Sequence, residues 1–245
     1  MTMTPNVWDN LSWKYEAAQV RSDSLDSLVE WPAQLRAVGE VQGKSILDVG
    51  CGSGRKAHYF ALAGAKTVLG MDISESFIVP WQTRDKPANL EFCVGDSAKL
   101  LDIPAVNRRK YDLILCFQAL ALSADRQHLF SSMRRLQPKG GRLVFSTAHP
   151  FRYVTLRMER DRLPPAVAYR DDKPFSYPSM WDPSVITSDA TPMISVVVNL
   201  LISSGYRLDR LSEPGLSEEQ RIQFPQKSEW MDKYFGILLY EATAI

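Results

Sequence analysis

The chain has 245 residues, of which 45% are hydrophobic and 23% charged, with 29 Lys and Arg against 28 Asp and Glu. This length suffices for one α/β domain with a modest addition and needs no disulfide or metal to hold its core. The net charge of +1 disfavours a nucleic-acid binder that works through a strongly basic surface. The three scattered cysteines form no Cys-x-x-Cys pair, which is typical of a reducing compartment and predicts no metal site. With no membrane-length apolar run and no secretory pattern, we expect a cytoplasmic protein that contacts neither membrane nor nucleic acid.

Residues 1–37 carry leucines at helical spacing, and Pro32 predicts a kink or restart in this helical segment. From residue 44 to residue 145, short apolar runs bounded by Gly, Asp or Pro alternate with helical patterns. The predicted strands are residues 45–49, 67–71, 90–94, 111–116 and 142–146. The predicted helices between them are residues 55–63, 75–83 and 125–136. Strands that alternate with helices predict a parallel sheet covered by helices on both faces.

The last third of the chain departs from this alternation. Residues 150–185 are rich in proline and aromatic residues and are too long for an ordinary connection, so we expect a cap or irregular insertion there. A helix is predicted over residues 191–204. Two strands are predicted after it, over residues 206–211 and 234–242, and they can pair as an antiparallel edge.

The most informative segment is ILDVGCGSG, residues 46–54. A buried strand carries the acidic residue Asp48, and a Gly-x-Gly-x-Gly turn then opens a helix at Arg55. Glycines allow a tight turn and close approach of a ligand to the backbone, and the start of the helix offers free N–H groups. A glycine loop by itself is weak evidence, because several classes of nucleotide-binding units share it.

Acidic residues follow two more of the predicted strands. Asp72 ends the second strand about 20 residues after the loop, where a carboxylate can accept both hydroxyls of a ribose, and Asp96 follows the third strand. Parallel strands would bring Asp48, Asp72 and Asp96 to one edge of the sheet, where open α/β sheets bind ligands. The alternative is that Asp72 and Asp96 only cap the helices that follow them.

With these motifs in place, the chain resembles the class I S-adenosylmethionine-dependent methyltransferases. The resemblance runs from Lys44 to His149, through ILDVGCGSG, GMDIS, CVGDSAKL, YDLILCFQALAL and LQPKGGRLVFSTAHP. Within that family the chain is most similar to small-molecule methyltransferases related to the ubiquinone-biosynthesis type. The resemblance implies an α/β, doubly wound, mostly parallel seven-stranded sheet with an antiparallel last strand, plus a helical or irregular cap. It also implies one domain in four parts: an N-terminal lid (1–40), a cofactor-binding core (44–149), a substrate cap (150–190) and the end of the core sheet (191–245).

The resemblance further implies S-adenosylmethionine as cofactor and a set of residues that bind it. The loop would hold its methionine part, Asp72 its ribose and Ile73 its adenine, while an N-terminal Tyr15 and Arg21 would fold over it. The whole implied set is Asp48, Gly50, Cys51, Gly52, Gly54, Asp72, Ile73, Asp96, Ser97, Cys116, Phe117, Gln118, Tyr15 and Arg21. The alternative for the N-terminal segment is an amphipathic helix that only packs on the sheet. A dehydrogenase of the Rossmann type is a weaker alternative, because an acid beside the loop would repel a pyrophosphate.

Methyl transfer mainly requires that the acceptor be held in line with the methyl group, and a base is needed only if the acceptor carries a proton. His149, after the fifth strand, is the predicted general base, with a backbone-bonded turn residue as the alternative. We expect the cap to form an apolar or aromatic acceptor pocket with Phe151, Tyr153, Tyr177 and Trp181. The predicted function is therefore methyl transfer to an O, N or C atom of a small molecule. A protein or peptide methyltransferase and a non-catalytic binding module remain alternatives.

Overall fold

The computed structural model describes residues 5–123, 125–189 and 192–245. The helices are α1 (Pro5–Gln19), α2 (Trp31–Val38), α3 (Arg55–Leu62), α4 (Glu75–Ile78), α5 (Pro104–Asn107), α6 (Arg126–Arg135), α7 (Pro150–Asp161), α8 (Pro165–Arg170), α9 (Ile194–Ser203), α10 (Glu218–Gln223) and α11 (Pro225–Tyr234). The strands are β1 (Ser45–Val49), β2 (Thr67–Asp72), β3 (Leu90–Val94), β4 (Leu113–Phe117), β5 (Arg142–Ala148), β6 (Phe175–Pro178), β7 (Ile186–Asp189), β8 (Tyr206–Ser212) and β9 (Ile237–Ala244). No helix among these residues is long and apolar enough to cross a membrane.

Seven strands form one sheet in the order β3-β2-β1-β4-β5-β9-β8. The first five are parallel, and β9 runs antiparallel to both β5 and β8. This confirms the predicted doubly wound sheet with its antiparallel last strand. The strand order reverses between β1 and β4, and a reversal of this kind opens a crevice at the carboxyl ends of the strands.

Continuous apolar sequence explains why the central strands are buried on both faces. All five residues of β4, with the sequence LILCF, are buried, as expected of a parallel strand covered by helices on both sides. Across the antiparallel pair, Phe145 of β5 lies opposite Tyr240 of β9, and their rings stack at 4.4 Å. This aromatic pair joins the added β9–β8 edge to the parallel core.

The N-terminal segment is helical, as predicted, and a new helix, α2, begins at Trp31 beside Pro32, where the sequence predicts a kink or restart. A π-helical turn, Asp26–Glu30, runs directly into α2, where Pro32 lies in the first turn. A proline is tolerated there because the first N–H groups of a helix have no intrahelical partner. Chain direction is therefore continuous from the π turn into α2.

The cap is more regular than the sequence predicted. Residues 150–189 form α7, α8 and a hairpin of β6 with β7. Arg157 is buried beneath the hairpin, where it pairs with Asp171 at 2.5 Å and lies over the ring of Phe175. The sequence analysis also missed α10 and α11, which lie between β8 and β9.

Candidate active site

The carboxyl ends of β1 to β4 border a cavity of about 330 Å³, and α1 lies across it. Nine of the predicted cofactor residues line it: Tyr15, Gly50, Gly52, Asp72, Ile73, Asp96, Ser97, Phe117 and Gln118. A smaller adjoining cavity of about 60 Å³ is lined by Asp48 and Cys51, among others. The structure thus brings eleven of the fourteen predicted residues to one place at the switch point of the sheet.

Gly50, Gly52 and Gly54 all have a positive φ, but their surroundings differ. A Cβ at Gly50 would lie 2.4 Å from the Ala119 side chain, and one at Gly54 would lie 2.5 Å from the Phe92 ring. Gly50 and Gly54 therefore keep the loop packed against its neighbours. A Cβ at Gly52 would meet nothing within 4 Å. Its open face borders the cavity, which is the space that a bound ligand would fill.

Asp72 is only 8% exposed, lines the larger cavity and holds the backbone on either side of it. Its Oδ2 accepts a hydrogen bond from Gly52 N–H at 2.8 Å, and its Oδ1 accepts one from Ser74 N–H at 3.0 Å. Burial raises the pKa of Asp72, although these backbone bonds oppose that shift. A carboxylate has about four acceptor positions, so two bonds leave capacity for hydroxyls of a ligand in the cavity.

Asp96 caps the short helix that follows it, since its carboxylate accepts from Ala98 N–H at 2.9 Å. Asp96 therefore caps this helix, as the alternative in the sequence analysis proposed. Asp96 nevertheless lines the cavity together with Ile73 and Ser97. The resemblance assigns Ile73 to the adenine, so this side of the cavity is the one where the adenine is expected.

Asp48 lies at the smaller cavity and is 2% exposed. Its pKa is raised to about 7, chiefly by burial and also by the nearby carboxylate of Asp72, while Lys56 opposes the shift. A carboxyl group in this state favours a cationic ligand, because a positive charge nearby would restore its ionised form.

We predict that Asp48→Asn stabilises the ligand-free protein at high pH. The folded-state pKa of about 7 lies above the ordinary value of about 3.9, so the folded protein retains a proton that the unfolded chain releases. The free energy of unfolding should therefore fall between about pH 4 and pH 7, by up to about 4 kcal/mol. Asn cannot ionise, so urea unfolding should show the variant more stable at pH 8 and nearly equal to the wild type at pH 4. Parallel stability profiles would contradict this assignment.

A buried ionic network lies beside Asp48, and the sequence analysis missed it. Asp26, 5% exposed, pairs with Arg55 at 2.5 Å and with Lys56 at 2.8 Å. Lys56 Nζ also donates to Gln34 Oε1 at 2.6 Å. The position of Arg55 and Lys56, directly after the glycine loop, is the one sequence signal that could have indicated these cations. Together the network presents both charge signs at the smaller cavity, which suits a zwitterion.

The helix α1 forms a lid that is fastened at both ends of the cavity. Asp9 Oδ1 accepts from Ser74 Oγ at 2.6 Å and from Ser76 N–H at 3.2 Å, so α1 is tied to the end of β2. Lys14 pairs with Asp182 of the cap at 2.5 Å. Between these ties, the rings of Trp8, Tyr15, Phe77 and Trp181 pack edge to face or tilted. The predicted role of Tyr15 as part of a lid thus agrees with its position.

Phe117 and Gln118, at the end of β4, line the larger cavity, but Cys116 does not. Cys116 is fully buried in the core, and burial raises the pKa of its thiol to about 12. Gln118 has a φ of 61°, and its N–H donates to Ser146 O at 3.0 Å. A residue other than glycine in this conformation is strained, and such strain is common at functional sites.

Two further residues of the predicted cofactor set, Arg21 and Gly54, line neither the larger nor the smaller cavity. Among the described residues, Arg21 is 66% exposed and pairs with its neighbour Asp23 at 2.8 Å. It lies in the turn after α1 and lines neither cavity, whereas Arg55 lines the smaller one beside the loop. Gly54 is the residue directly before α3 and borders Phe92, as described above.

The structure does not bring His149 to either cavity. It is 1% exposed and caps α7, since Nδ1 accepts from Phe151 N–H at 3.2 Å. This bond leaves the proton on Nε2, which donates to Glu213 Oε1 at 3.0 Å. Its ring stacks on Phe235 at 4.6 Å. Both ring nitrogens are engaged in hydrogen bonds. In this structure His149 is therefore a turn residue, which was the alternative to a general base.

The cap aromatics predicted for the acceptor pocket do not line either cavity in the described part of the chain. Tyr153 and Tyr177 lie with Phe175 in the small core of the cap. Phe151 stacks on His149 at 5.5 Å and is 41% exposed. Trp181 is the one that approaches the site, because its ring lies 4.8 Å from that of Tyr15. Side-chain packing within α7 and the hairpin, which sequence does not reveal, decides these positions.

Comparison with known proteins agrees with this geometry. Residues 40–194 match a family model described as a methyltransferase domain. An uncharacterized protein of Haemophilus influenzae is 24% identical over 228 residues, which cover 86% of each chain. A ubiquinone biosynthesis O-methyltransferase of Coxiella burnetii is 30% identical over 119 residues, which are 47% of this chain and 50% of that relative.

A solved structure supports the fold. The S-adenosylmethionine-dependent methyltransferase of Mesorhizobium loti superposes with a TM-score of 0.68 at 24% identity, over 87% of this chain and 97% of that one. The family match covers more than half of the sequence and includes the glycine loop and all three acidic strand ends. The chain belongs to the methyltransferase-domain family, and its predicted class, the S-adenosylmethionine-dependent methyltransferases, is confirmed.

Proposed function

We propose that the protein transfers a methyl group from S-adenosylmethionine to a small, apolar or aromatic acceptor. The observation that carries this proposal is the fastened lid. Because α1 is tied to the core through Asp9 and to the cap through Lys14, it covers the carboxyl edge of the sheet. A folded macromolecule would need that edge to be open, whereas a small acceptor can enter beside the lid.

The residues present fit the cofactor. The open face of Gly52 and the buried carboxylate of Asp72 offer a cradle and a hydroxyl acceptor in the larger cavity. Asp48 and the cations Arg55 and Lys56 border the smaller cavity, where an amino-acid moiety needs both charge signs. We therefore assign the nucleoside part to the larger cavity and the methionine part to the smaller one. When bound, the cofactor supplies a methyl group already activated by a positively charged sulfur.

The protein's own contribution is position and shielding. Trp8 and Tyr15 of the lid and Phe77 of α4 line the larger cavity with apolar rings that would keep water from a bound ligand, and a dry site strengthens the electrostatic contacts within it. Phe117, at the end of β4, lines both cavities, and Gln118 beside it lines the larger one. Holding two reactants in line can supply several kcal/mol of rate acceleration without any further chemistry.

The relative from Coxiella burnetii is named as an O-methyltransferase and matches 119 residues of this chain at 30% identity. This favours a hydroxyl acceptor for the present protein. The near-neutral net charge of +1 agrees with an uncharged small molecule better than with a polyanion.

A labelling experiment tests the proposal. The protein is incubated with methyl-tritiated S-adenosylmethionine and with a cell extract that has been divided by size into small molecules, proteins and nucleic acids. We expect label in the small-molecule fraction, extractable into organic solvent, and none above background in the others. Label in the protein fraction would favour the peptide methyltransferase instead. The Asp72→Ala variant serves as the inactive control.

A further inference from the structure

We propose that a further cavity, on the outer side of the lid, binds a small aromatic carboxylate, and that this ligand holds the lid closed over the cofactor. This inference goes beyond the proposed function, and only its second part rests on the cofactor site. The outer cavity has a volume of about 610 Å³, which exceeds that of either cavity described above. Volumes of roughly 300–1,000 Å³ are typical of sites for small ligands.

Three elements form the walls of the outer cavity. The wall from α1 includes Trp13 and Glu16, the wall from α3 includes Arg55 and His58, and the third wall comes from residues 76–84, on α4 and directly after it. Among the described residues, none from the end of β4 lines this cavity. The outer cavity is therefore separate from both parts of the cofactor site, although it shares walls with them.

Two indole rings give the outer cavity an apolar surface. Trp81 is 8% exposed, and its ring is fixed, because Nε1 donates to Ser53 O at 2.8 Å and the ring stacks on Phe92 at 4.6 Å. Trp13 is 67% exposed, and within the described part of the chain its ring contacts only the ammonium of Lys14, 5.3 Å from its centroid. A fixed ring and a free ring that line the same cavity suit a flat, apolar ligand.

The outer cavity also carries an excess of positive charge. Arg84 lies 5.5 Å from the centroid of the Trp81 ring and has neither an ion pair nor a hydrogen bond among the residues that the structure describes. Arg55 pairs with Asp26 through Nη2, and its remaining N–H groups stay available. Glu16 is the one acid in the described lining. Because arginine binds carboxylates with paired hydrogen bonds, this lining favours an aromatic ring that carries a carboxylate.

The position of α1 connects the outer cavity to the cofactor site. Trp13 of α1 lines the outer cavity, whereas Tyr15 lines both of the others. Phe77 is shared by the outer and larger cavities, and Arg55 by the outer and smaller ones. A ligand in the outer cavity would contact α1 and the core together, as the cofactor would from the other side. Two ligands that both favour the closed lid must raise each other's affinity.

The first test measures binding without the cofactor. Indole-3-acetate is the probe, and indole-3-acetamide has the same ring without the charge. Calorimetry should show saturable binding of the acid at millimolar concentration, about tenfold tighter than that of the amide. Arg84→Ala should remove most of this difference, whereas Arg36→Ala, at an exposed position in the last turn of α2, should preserve it. Absence of saturable binding, equal affinities for acid and amide, or an unaffected Arg84→Ala variant would overturn the proposal.

The second test concerns the exposed ring of Trp13. Trp13→Ala should weaken binding of indole-3-acetate by about tenfold, because the ring of the probe loses its partner on α1. The position is exposed, so the variant should keep the fold of the wild type. Sedimentation velocity of both proteins identifies the other possible occupant of this face. A dimeric wild type with a monomeric Trp13→Ala variant would show that the face binds a second copy of the chain, and would overturn the proposal.

The third test measures the coupling between the two sites. Saturation with S-adenosylhomocysteine should raise the affinity for indole-3-acetate by at least about fivefold, and saturation with the probe should raise the affinity for S-adenosylhomocysteine by the same factor. Unchanged affinities, or displacement of one compound by the other, would contradict the role of the outer ligand in holding the lid. A wild-type protein that fails to bind S-adenosylhomocysteine at all would instead contradict the proposed function, which the first test does not involve.

Discussion

Asp72→Ala is expected to weaken the binding of S-adenosylhomocysteine by roughly 100-fold, or about 3 kcal/mol. The carboxylate of Asp72 holds the open Gly52 of the loop through its N–H and lines the cavity with its remaining acceptor capacity. Hydrogen bonds to a charged group contribute about 1.5–3 kcal/mol each, so losing the loop contact and the ligand contact together gives an effect of this size. Isothermal titration calorimetry measures it directly.

Asp112→Ala is the matched control for this prediction. Asp112 Oδ2 accepts a hydrogen bond from Ser45 N–H at 2.8 Å, at the opposite end of β1. This variant also loses a carboxylate bond to the backbone, so it should show a comparable loss of stability with unchanged affinity. Equal affinities for the two variants would mean that Asp72 only caps the turn after β2.

Gly54→Ala should mainly lower the stability of the protein, whereas Gly52→Ala should mainly lower its affinity for the ligand. At Gly54, the φ is +74° and a Cβ would meet both Phe92 at 2.5 Å and Trp81 at 2.8 Å. The free energy of unfolding should therefore fall by about 2–4 kcal/mol, from overpacking and backbone strain together. At Gly52, the φ is +55° with no atom within 4 Å, so only about 1 kcal/mol of strain is expected. The added methyl group would enter the cavity, and the affinity for S-adenosylhomocysteine should fall at least tenfold.

Chemical unfolding and calorimetry on the two variants check this pair. Gly140→Ala is the control for strain, because Gly140 has a φ of +84°, no atom within 4 Å of a Cβ, and a position in the turn before β5, far along the chain from the loop. It should lose about as much stability as Gly52→Ala and none of the affinity. If Gly52→Ala binds the ligand as the wild type does, the open face of Gly52 is not part of the ligand site.

The parallel core was predictable because its signals are local and agree with one another. Apolar runs such as LILCF, a glycine loop before Arg55 and acids at strand ends each point to the same topology, and the structure has it. The polar helices α10 and α11 were missed, since their sequence has no strong apolar periodicity. Ser217 and Gln220 do form a capping box at the start of α10, and that pattern could have indicated this helix.

The acceptor side of the site was less predictable because it depends on side-chain direction and long-range packing. His149 was placed correctly at the end of β5, but its ring turns back to cap α7 and contact Glu213. Gln118 gains its partner from Glu30 of the π-helical turn, which is 88 residues away in the chain. Neither the π-helical turn nor this contact leaves a recognisable pattern in the sequence. Strand ends locate a site, while tertiary contacts decide which side chains face it.

The most direct test of the account is a calorimetric titration of the wild-type protein with S-adenosylhomocysteine. If the loop, Asp72 and the smaller cavity form one cofactor site, the compound should bind with one molecule per chain, and adenosine alone should bind more weakly because it leaves the ionic network at Asp48 unengaged. Absence of binding at millimolar ligand, or equal affinity for adenosine, would contradict the assignment of the two cavities to one cofactor.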